Sequence, residues 1–592
     1  MKLRSKPIFA AVSVLLCALA AWAFQAARQA AAPPPPSLTA MLPQGALLTI
    51  ESPDFAALLH SWNASPEQKA WLASDNNRVF SNSRLFGRLN DARTEFEAAA
   101  TPPKGESPSF DGDFLTQVAG RQSIFAWYDI GNLEFLYITR ISSAQAANIS
   151  LLKQRAGWSV RQSAGVTFYL RKTSSADAAS DSAQGKARTV AFAQDNGLLI
   201  LATREDLIAN ALALIHPAPN AQSVATEPWY AEVSAALAPQ TPAPGLHMVL
   251  NLDRLTRLAY FRSYWVQGNI SQMQQYRAAV SDLYLTPAQF REERALLPAD
   301  PDSLADEADV ASLAALAPAS NGVYRARATS DPDEAVAALE EKLLGRIALA
   351  DVPSKSAPDP SLDAPQSGSS TDLETRVDTP APVSEAVSNR ALADALKAAS
   401  LDAILTYSTA QPPATAAGLW VPIHSAVVLH AKSAWNPQAL QAALQQSLRG
   451  SLTTASLGVE FRSEAVAGQT IYTLTGPKPL FFSTNGNLCL LADDRALLEA
   501  LLRQSTQARP SAAPATLIAG FDHTSQRAPY ARLTSLIDGT NHPQNPNAQP
   551  AYFSGNLRSL SDSFATLTSE KLVERREGSS LRQTVTYDWR TP

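Results

Sequence analysis

The sequence predicts an α+β protein, in which duplicated modules of largely antiparallel sheet are covered by short amphipathic helices. An N-terminal membrane helix or signal peptide precedes them. Three observations lead to this fold class. Short apolar runs follow Asn-Gly turn signals, strand-like runs are followed by capped helical segments, and one such unit recurs 290 residues further along the 592-residue chain.

The N-terminal segment has the pattern of an export sequence. Three basic residues precede an uncharged apolar run, and a tryptophan lies near the far end of that run. The basic residues are Lys2, Arg4 and Lys6, the run spans Pro7 to Ala27, and the tryptophan is Trp22. As a helix the run is about 31 Å long, close to the thickness of a hydrocarbon core. The basic flank predicts that the N-terminus stays inside and the rest of the chain crosses the membrane.

The same segment is open to two interpretations. Ala21-Trp22-Ala23 fits the small-residue pattern of a signal-peptide cleavage site, which predicts removal and a secreted or periplasmic protein. The proline run Pro33 to Pro36 fits a stiff spacer behind a retained single-pass anchor. Residues 1–36 are therefore predicted to be either an anchor with its spacer or a signal peptide.

An internal repeat supports the duplicated modules. Phe192–Ala202 resembles Phe481–Ala492, and each stretch contains an Asn-Gly turn signal followed by an apolar run. The turns are Asn196-Gly197 and Asn485-Gly486. The apolar runs predict buried strands, and a helix follows each, with Thr203 as the cap in the first copy and Asp493 in the second.

Further strand–helix units have the same outline. Strands are predicted at Leu133–Arg140, Val323–Ala328 and Ser425–Lys432, each followed by a polar turn and a helix that lies back on one face of the sheet. The alternation in Lys571–Arg575 and Ser580–Asp588 predicts a terminal hairpin. The stretch from Ser271 to Leu316 is rich in Gln, Ala and Leu, and predicts helices.

These patterns divide the chain into five parts. The stretch 351–388 has six prolines, seven acidic residues and no aromatic residue, which predicts a flexible linker. The parts are the anchor or signal peptide with its spacer (1–36), a first α+β module (37–230), a helical insertion with a strand–helix unit (231–350), the linker (351–388), and a second module that repeats the first (389–592).

Composition excludes several classes of function. The formal net charge is −5 and no basic stretch recurs beyond the N-terminus, so nucleic acid is not a predicted partner. Cys17 and Cys489 are the only cysteines, so the exported part has no internal disulfide. Cys489 lies in an apolar run and is predicted to be a buried thiol. The sequence holds no P-loop, H-E-x-x-H, G-x-S-x-G or G-x-G-x-x-G motif, and it predicts no cofactor.

A few residues are candidates for chemistry, each with a structural alternative. His424 and His430 are six apart on one predicted strand and could share a face as metal ligands, or serve as hydrogen-bonded strand residues. Asp522-His523 could perform acid–base chemistry, or cap a helix. The charged turns Arg204–Asp206 and Asp493–Arg495 could bind a ligand, or supply first-turn charges. Four tryptophans of the first module could be platforms for a sugar, and are predicted to lie in the core: Trp62, Trp71, Trp127 and Trp158.

The start of the folded part carries a resemblance. Met41-Leu42-Pro43 leads into a strand that ends near Ile50 and then into a helix, and in this it resembles uncharacterised bacterial envelope proteins that carry a domain of unknown function. The resemblance implies an extracytoplasmic location and no known reaction.

The functional hypothesis is a non-catalytic, membrane-tethered envelope protein that binds other envelope proteins. The alternatives are a carrier of an apolar ligand such as a lipid, and an envelope hydrolase without a recognisable motif.

Overall fold

The structure of the protein is a computed structural model. It describes residues 37–74, 114–153, 157–172, 189–237, 240–262, 272–286, 288–318, 322–344, 390–411, 421–452, 461–466, 468–474, 479–507, 513–541 and 566–589, with short pieces at 77–94, 155 and 270. The described part is a mixture of helices and antiparallel sheet, as the sequence predicts. The predicted anchor residues Lys2, Arg4, Lys6 and Trp22 lie outside the described residues, as does the segment 351–388. None of the described helices has both the length and the apolarity needed to cross a bilayer.

Within the described residues, twenty strands form one sheet. The first ten are β1 (Leu48–Ser52), β2 (Ser123–Asp129), β3 (Glu134–Arg140), β4 (Ser159–Ser163), β5 (Val166–Lys172), β6 (Thr189–Asp195), β7 (Leu198–Ala202), β8 (Leu246–Leu250), β9 (Tyr276–Leu285) and β10 (Gln289–Pro298). The second ten are β11 (Val323–Ala328), β12 (Leu401–Ala410), β13 (Ile423–Ala431), β14 (Arg462–Val466), β15 (Gln469–Leu474), β16 (Leu480–Asn485), β17 (Leu488–Ala492), β18 (Leu517–Asp522), β19 (Leu567–Glu577) and β20 (Ser580–Trp589).

The order of the strands repeats. From one edge the first half runs β4-β5-β6-β7-β3-β2-β1-β8-β9-β10. From the other edge the second half runs β14-β15-β16-β17-β13-β12-β11-β18-β19-β20. Every pairing is antiparallel, and each strand of the first half corresponds to the strand numbered ten higher.

The two halves meet where β10 pairs with β20. Ala295 pairs with Val280 of β9, and Thr586 pairs with Lys571 of β19, so Ala295 and Thr586 hold corresponding positions. Two residues earlier on each strand, Glu293 therefore corresponds to Thr584. These two residues also pair with each other between β10 and β20. A pseudo-two-fold axis therefore passes through the Glu293–Thr584 pair.

Helices lie on both faces of the sheet. Those of the first half are α1 (Phe55–Ala64), α2 (Pro66–Ala73), α3 (Phe114–Val118), α4 (Ser143–Asn148), α5 (Ser150–Lys153), α6 (Glu205–Ile215), α7 (Pro228–Ala235), α8 (Leu252–Leu255) and α9 (Ala259–Arg262). Those of the second half are α10 (Val310–Ala314), α11 (Pro332–Leu339), α12 (Arg390–Ala399), α13 (Pro437–Leu452), α14 (Arg495–Ser505) and α15 (His523–Asn541).

The core is split between the two faces because successive strand residues point to opposite sides. In β3, Leu136 and Ile138 pack with α6 and α7, whereas Tyr137 packs with α5. In β12, Leu405 packs with α10 and α14, whereas Ile404 packs with α11 and α12. The expectation that helices cover one face was therefore wrong. Because both faces of these strands are buried, their sequences do not alternate between apolar and polar residues. Helices cover each face for the same reason.

The predicted turns are present, with one difference in register. Asn196 and Gly197 both have positive φ, as a type I′ turn requires. The sequence match places Phe192 opposite Phe481, but the strand pairings differ from it by one residue. Phe192 pairs with Leu201 as Phe482 pairs with Leu491, so Phe192 corresponds to Phe482. The two-residue turn of the second copy is Gly486-Asn487, because Asn485 is the last residue of β16 and pairs with Leu488. The positive φ is at Gly486, the first residue of the turn.

The caps of the helices after β7 and β17 differ from the prediction. Arg204 is the N-cap of α6 and makes no side-chain cap bond, while the Thr203 hydroxyl accepts the backbone N–H of Phe135 at 2.8 Å. In the second half Asp494, not Asp493, caps α14 by accepting the N–H of Leu497 at 2.8 Å. In both copies the predicted capping side chain instead binds the neighbouring strand.

The stretch from Ser271 to Leu316 was predicted to be helical, and this was wrong for most of it. It contains β9 and β10, and its helix α10 covers only Val310–Ala314. Both strands lie in the interior of the sheet, so tertiary pairing overrides their local composition. As a consequence 231–350 is not an insertion: β8 to β10 complete the first half, and β11 belongs to the second half, ahead of the predicted start at 389.

Candidate functional site

A cleft of about 410 Å³ lies in the second half. The ends of β12 and β13 and the first turns of α14 and α15 form its walls. Its described lining is Pro318, Tyr407, Thr409, Ala410, Gln411, His424, Asp494, Ala496, Leu497, Ala500, Ser525 and Gln526. Small apolar residues of α14 share this lining with hydrogen-bonding groups of β12, β13 and α15, and the described lining contains no lysine or arginine.

The polar side of the cleft is held in place by a buried amide. Gln526 is 3% exposed; its Oε1 accepts the N–H of Ala410 at 2.8 Å, and its Nε2 donates to Thr409 Oγ1 at 3.3 Å. Tyr407, two residues before Thr409 on β12, is 2% exposed, and burial raises the pKa of its phenol to about 12. The two bonds of Gln526 tie α15 to β12.

A histidine and a carboxylate lie beside Thr409, since His424 is its partner on β13. His424 Nδ1 is 3.4 Å from Asp493 Oδ1, and that oxygen also accepts the N–H of Ser425 at 2.9 Å. Partial burial raises the pKa of the Asp493 carboxyl above its ordinary value, with the Ser425 bond and His424 opposing the shift. The imidazole is 28% exposed and lines the cleft, where it can exchange hydrogen bonds with a bound group.

The corresponding place in the first half is filled by larger side chains. Ala126 pairs with Leu136 as Tyr407 pairs with Ala426, so Ala126 corresponds to Tyr407. Tyr128 lies two residues after Ala126 and packs on the same face, as Thr409 lies two residues after Tyr407, although a bulge at Tyr128 makes Asp129 the strand partner of Glu134. The pairings of β3 with β7 and of β13 with β17 likewise match Leu136 with Ala426 and Ala202 with Ala492. It follows that the first half has larger residues than the second at four positions: Tyr128 for Thr409, Arg204 for Asp494, Asp206 for Ala496 and Asn210 for Ala500.

These larger residues close the first-half site with their own contacts. The Tyr128 hydroxyl donates to the Pro43 carbonyl at 2.9 Å, and burial raises the pKa of this phenol, with Glu227 adding to the shift. Arg204 Nη1 donates to Glu134 at 2.6 Å, and Asp206 binds the same guanidinium. Hydrogen bonding to Asp206 is the main cause that raises the pKa of Arg204. His424 stands where Glu134 stands, so the second half has no equivalent of this ion pair at those positions.

The two histidines proposed as a metal pair are separate. His424 is beside Asp493, whereas His430 Nδ1 binds Asp402 and its Nε2 accepts from Asn487 at 2.6 Å. Within the described residues no group of three or more His, Cys, Asp or Glu side chains could hold a metal ion. Each histidine is thus a member of its own carboxylate pair.

Asp522 and His523 have different roles. Asp522 Oδ1 accepts the N–H of Thr524 at 2.8 Å and of Ser525 at 3.3 Å, so it caps α15. His523 packs edge-on against Phe521 and lies 3.7 Å from Glu570. The capping alternative describes this pair.

The charged turns form ion pairs rather than a shared site. Glu205 pairs with Arg161, and Arg495 pairs with Glu464 and Glu499. Bonding to Glu464 and Glu499 raises the pKa of Arg495. These contacts tie α6 to β4 and α14 to β14, the two edge strands.

The tryptophans and the cysteine divide between core and surface. Trp158 is buried and Trp127 is partly buried, but Trp62 is 47% exposed, so the core prediction was wrong for Trp62. Cys489 is fully buried, and burial raises the pKa of its thiol. Burial and the raised pKa make this cysteine a poor nucleophile.

Comparison with known proteins does not identify the chain. No family model matches it, and no curated protein matches it. Among solved structures, that titled as crystal form I of TP0453 is 11% identical and covers 45% of this chain and 80% of its own, with a TM-score of 0.23. A TM-score this low supports no conclusion about fold or function, so the candidate site rests on the geometry above.

Proposed function

We propose that the chain is a non-catalytic protein of the cell envelope, held at a membrane by residues 1–36, that binds another envelope protein through the second-half cleft. The bound group is a bulky side chain with an aromatic body and a hydrogen-bonding tip, of the tyrosine type. The observation that carries the proposal is the contrast between the halves: the first half fills this place with its own Tyr128 and Arg204, and the second half has Thr409 and Asp494.

The lining of the cleft matches such a group. Ala496, Leu497 and Ala500 present one apolar strip along α14, against which an aromatic ring can pack. Thr409 and Gln526 add hydrogen-bonding atoms to the same lining, and these can meet a hydroxyl. Aromatic anchors in small preformed pockets are the usual high-energy contacts of protein interfaces.

The repeated strand order supports an origin by duplication of one ten-stranded unit. After such a duplication one copy can keep a closed, structural site while the other opens and acquires a ligand. The pairing of Phe192 with Tyr169 and of Phe482 with Tyr472, both stacked, supports the common ancestry of the two halves.

The test is ligand-observed NMR on the full chain with N-acetyl-tyrosine amide, and with N-acetyl-alanine amide as the small comparison probe. We expect saturation transfer to the tyrosine probe alone. A variant that closes the cleft with first-half residues, Thr409→Tyr with Ala500→Asn, loses this transfer. Thr409→Ser keeps the space and the hydroxyl, and keeps the transfer. Equal transfer to both probes, or transfer that persists in the closed variant, contradicts the proposal.

A second candidate function is hydrolysis of envelope material. The cleft that contains His424, oriented beside Asp493, also contains Ser525, so a base and a hydroxyl lie in one site. Turnover of a chromogenic ester by the full chain that disappears in His424→Ala supports the enzyme. Turnover that is absent, or that is unchanged in this variant, favours the binding protein.

A further inference from the structure

The helices α1 and α2, which lie between β1 and β2 in the chain, form a pair with exposed apolar side chains. The sequence of α1 is apolar and contains no charged residue, yet none of its side chains is buried. Trp62 is 47% exposed and Leu72 of α2 is 58% exposed. An apolar surface of this kind on an ordered helix pair marks a site of interaction.

The corresponding connection in the second half packs onto the sheet. There α11, the π-helical turn Glu340–Leu344 and α12 follow β11, and they bury apolar side chains against the same face of the sheet. These buried residues are Ala335, Val336, Leu339, Leu343, Leu344 and Leu392. The exposure of α1 and α2 is therefore not a property of this position in the fold.

The start of α1 joins the helix pair to the body. The N–H groups of Phe55 and Ala56 donate to Arg121 and Gly120 at 2.8 and 3.0 Å, and the Phe55 ring packs edge-on against Tyr137 at 6.4 Å. Ser65 joins the two helices, since its hydroxyl accepts the N–H of Gln68 at 3.1 Å. Further along the pair, Trp71 packs against Phe80 at 6.2 Å, while Trp62 and Leu72 stay exposed.

We infer that α1 and α2 lie on the surface of the lipid bilayer beside the N-terminal segment. The inference rests on the proposed function in one respect: it takes residues 1–36 to hold the chain at a membrane. The uncharged run ends at Ala27, ten residues before the described chain begins at Ser37, so the bilayer is within about 35 Å of Ser37 even if these residues are fully extended.

The chemistry of the pair fits a bilayer interface. Because α1 has no charged residue, it cannot form ion pairs with a charged protein surface. It can bury its apolar side chains at the boundary between headgroups and acyl chains. The amphipathic indole of Trp62 suits that boundary, and the exposed Lys69 of α2 can meet anionic headgroups.

The test uses the full chain in nanodiscs of phosphatidylcholine and phosphatidylglycerol that contain a lipid with a diazirine in its acyl chain. After irradiation, mass spectrometry locates the lipid adducts. We expect adducts in residues 7–27 and in residues 55–73. The double variant Trp62→Gln with Leu72→Gln lowers the yield in 55–73 about tenfold and leaves that in 7–27 unchanged.

Leu285→Gln is the control, since Leu285 is 57% exposed at the end of β9, and it leaves both yields unchanged. Adducts in 7–27 alone overturn the inference and leave the membrane tether standing. Adducts in neither segment overturn both.

Discussion

Glu293, on the pseudo-two-fold axis, shows how one residue joins the two halves. Its side chain is 6% exposed, and it lies 3.3 Å from Arg291 and 3.6 Å from Arg582, which hold corresponding positions on β10 and β20. Thr584 donates to it at 2.8 Å. Two glutamates facing each other at the axis would repel, and threonine at 584 avoids this while completing the hydrogen bonds.

We therefore expect Glu293→Gln to lower the free energy of unfolding by about 2 kcal/mol, because two arginines lose a common buried carboxylate. Arg257→Ala is the control, since its pair with Asp253 is mostly exposed and contributes less than about 1 kcal/mol. Urea denaturation of the full chain measures both. Equal losses in the two variants contradict a special role for the axis.

Asp493 gives a prediction about pH. Burial raises its pKa in the folded state, so the protonated form is favoured there. This contribution to stability is complete at pH values below the unfolded pKa, and it is lost as the pH rises through the folded pKa. Asp493→Asn has no such loss, and its amide oxygen can still accept the Ser425 N–H.

The stability of Asp493→Asn relative to the wild type should therefore increase between about pH 4 and pH 7. Urea denaturation at the two pH values gives the difference in unfolding free energy. A difference that is constant or falls with pH shows that the carboxylate is stabilised, not destabilised, by its surroundings.

At this scale the sequence predicted parts of the site and missed others. His424 and Asp493 were singled out, but as a metal candidate and a helix cap, because their common environment depends on the pairing of β13 with β17. Tyr407 and Gln526 gave no signal, since each is an ordinary residue whose role comes from contacts across more than a hundred positions. The closed site of the first half became visible only when the strand registers were matched.

At the scale of elements, the β16–β17 turn shows why glycine stands where it does. Gly486 has φ of +60° and has nothing within 4 Å of an added Cβ, so any effect of substitution comes from the backbone alone. We expect Gly486→Ala to destabilise the chain by about 1–2 kcal/mol, and Gly486→Asn to cost less because asparagine tolerates this conformation. Thermal unfolding of the two variants ranks them. Equal effects contradict the backbone explanation.

Local turn chemistry is also what made some elements predictable. The terminal hairpin, with its turn at Gly578, and the strand–helix units after β3, β11 and β13 were confirmed. By contrast β9 and β10 carry charged and small residues in the interior of the sheet. Their strand structure depends on partners far away in the sequence, which local composition does not report.

At the scale of the whole molecule, the halves do not separate at the predicted linker. β11 precedes residues 351–388 and lies between β12 and β18, both of which follow them. A cut in 351–388 therefore leaves the first fragment joined to the second by three strand pairings: β11 with β12, β11 with β18, and β10 with β20.

We expect a chain cleaved at a protease site inserted after Gly368 to elute as one species under native conditions, and as two fragments in denaturant. The strand pairings on both sides of β11 are the reason. Size-exclusion chromatography before and after cleavage provides the measurement. Two separate native species contradict the strand order.

Binding of a partner in the second-half cleft can be measured by crosslinking in cells. A photo-crosslinking amino acid replaces Gln411, which lines the cleft, it is activated in growing cells, and the adducts are identified by mass spectrometry. We expect an adduct with a segment of another envelope protein that carries an aromatic side chain, and its loss in the Thr409→Tyr, Ala500→Asn background. An adduct formed equally in both backgrounds, or no adduct from position 411, contradicts binding in the cleft.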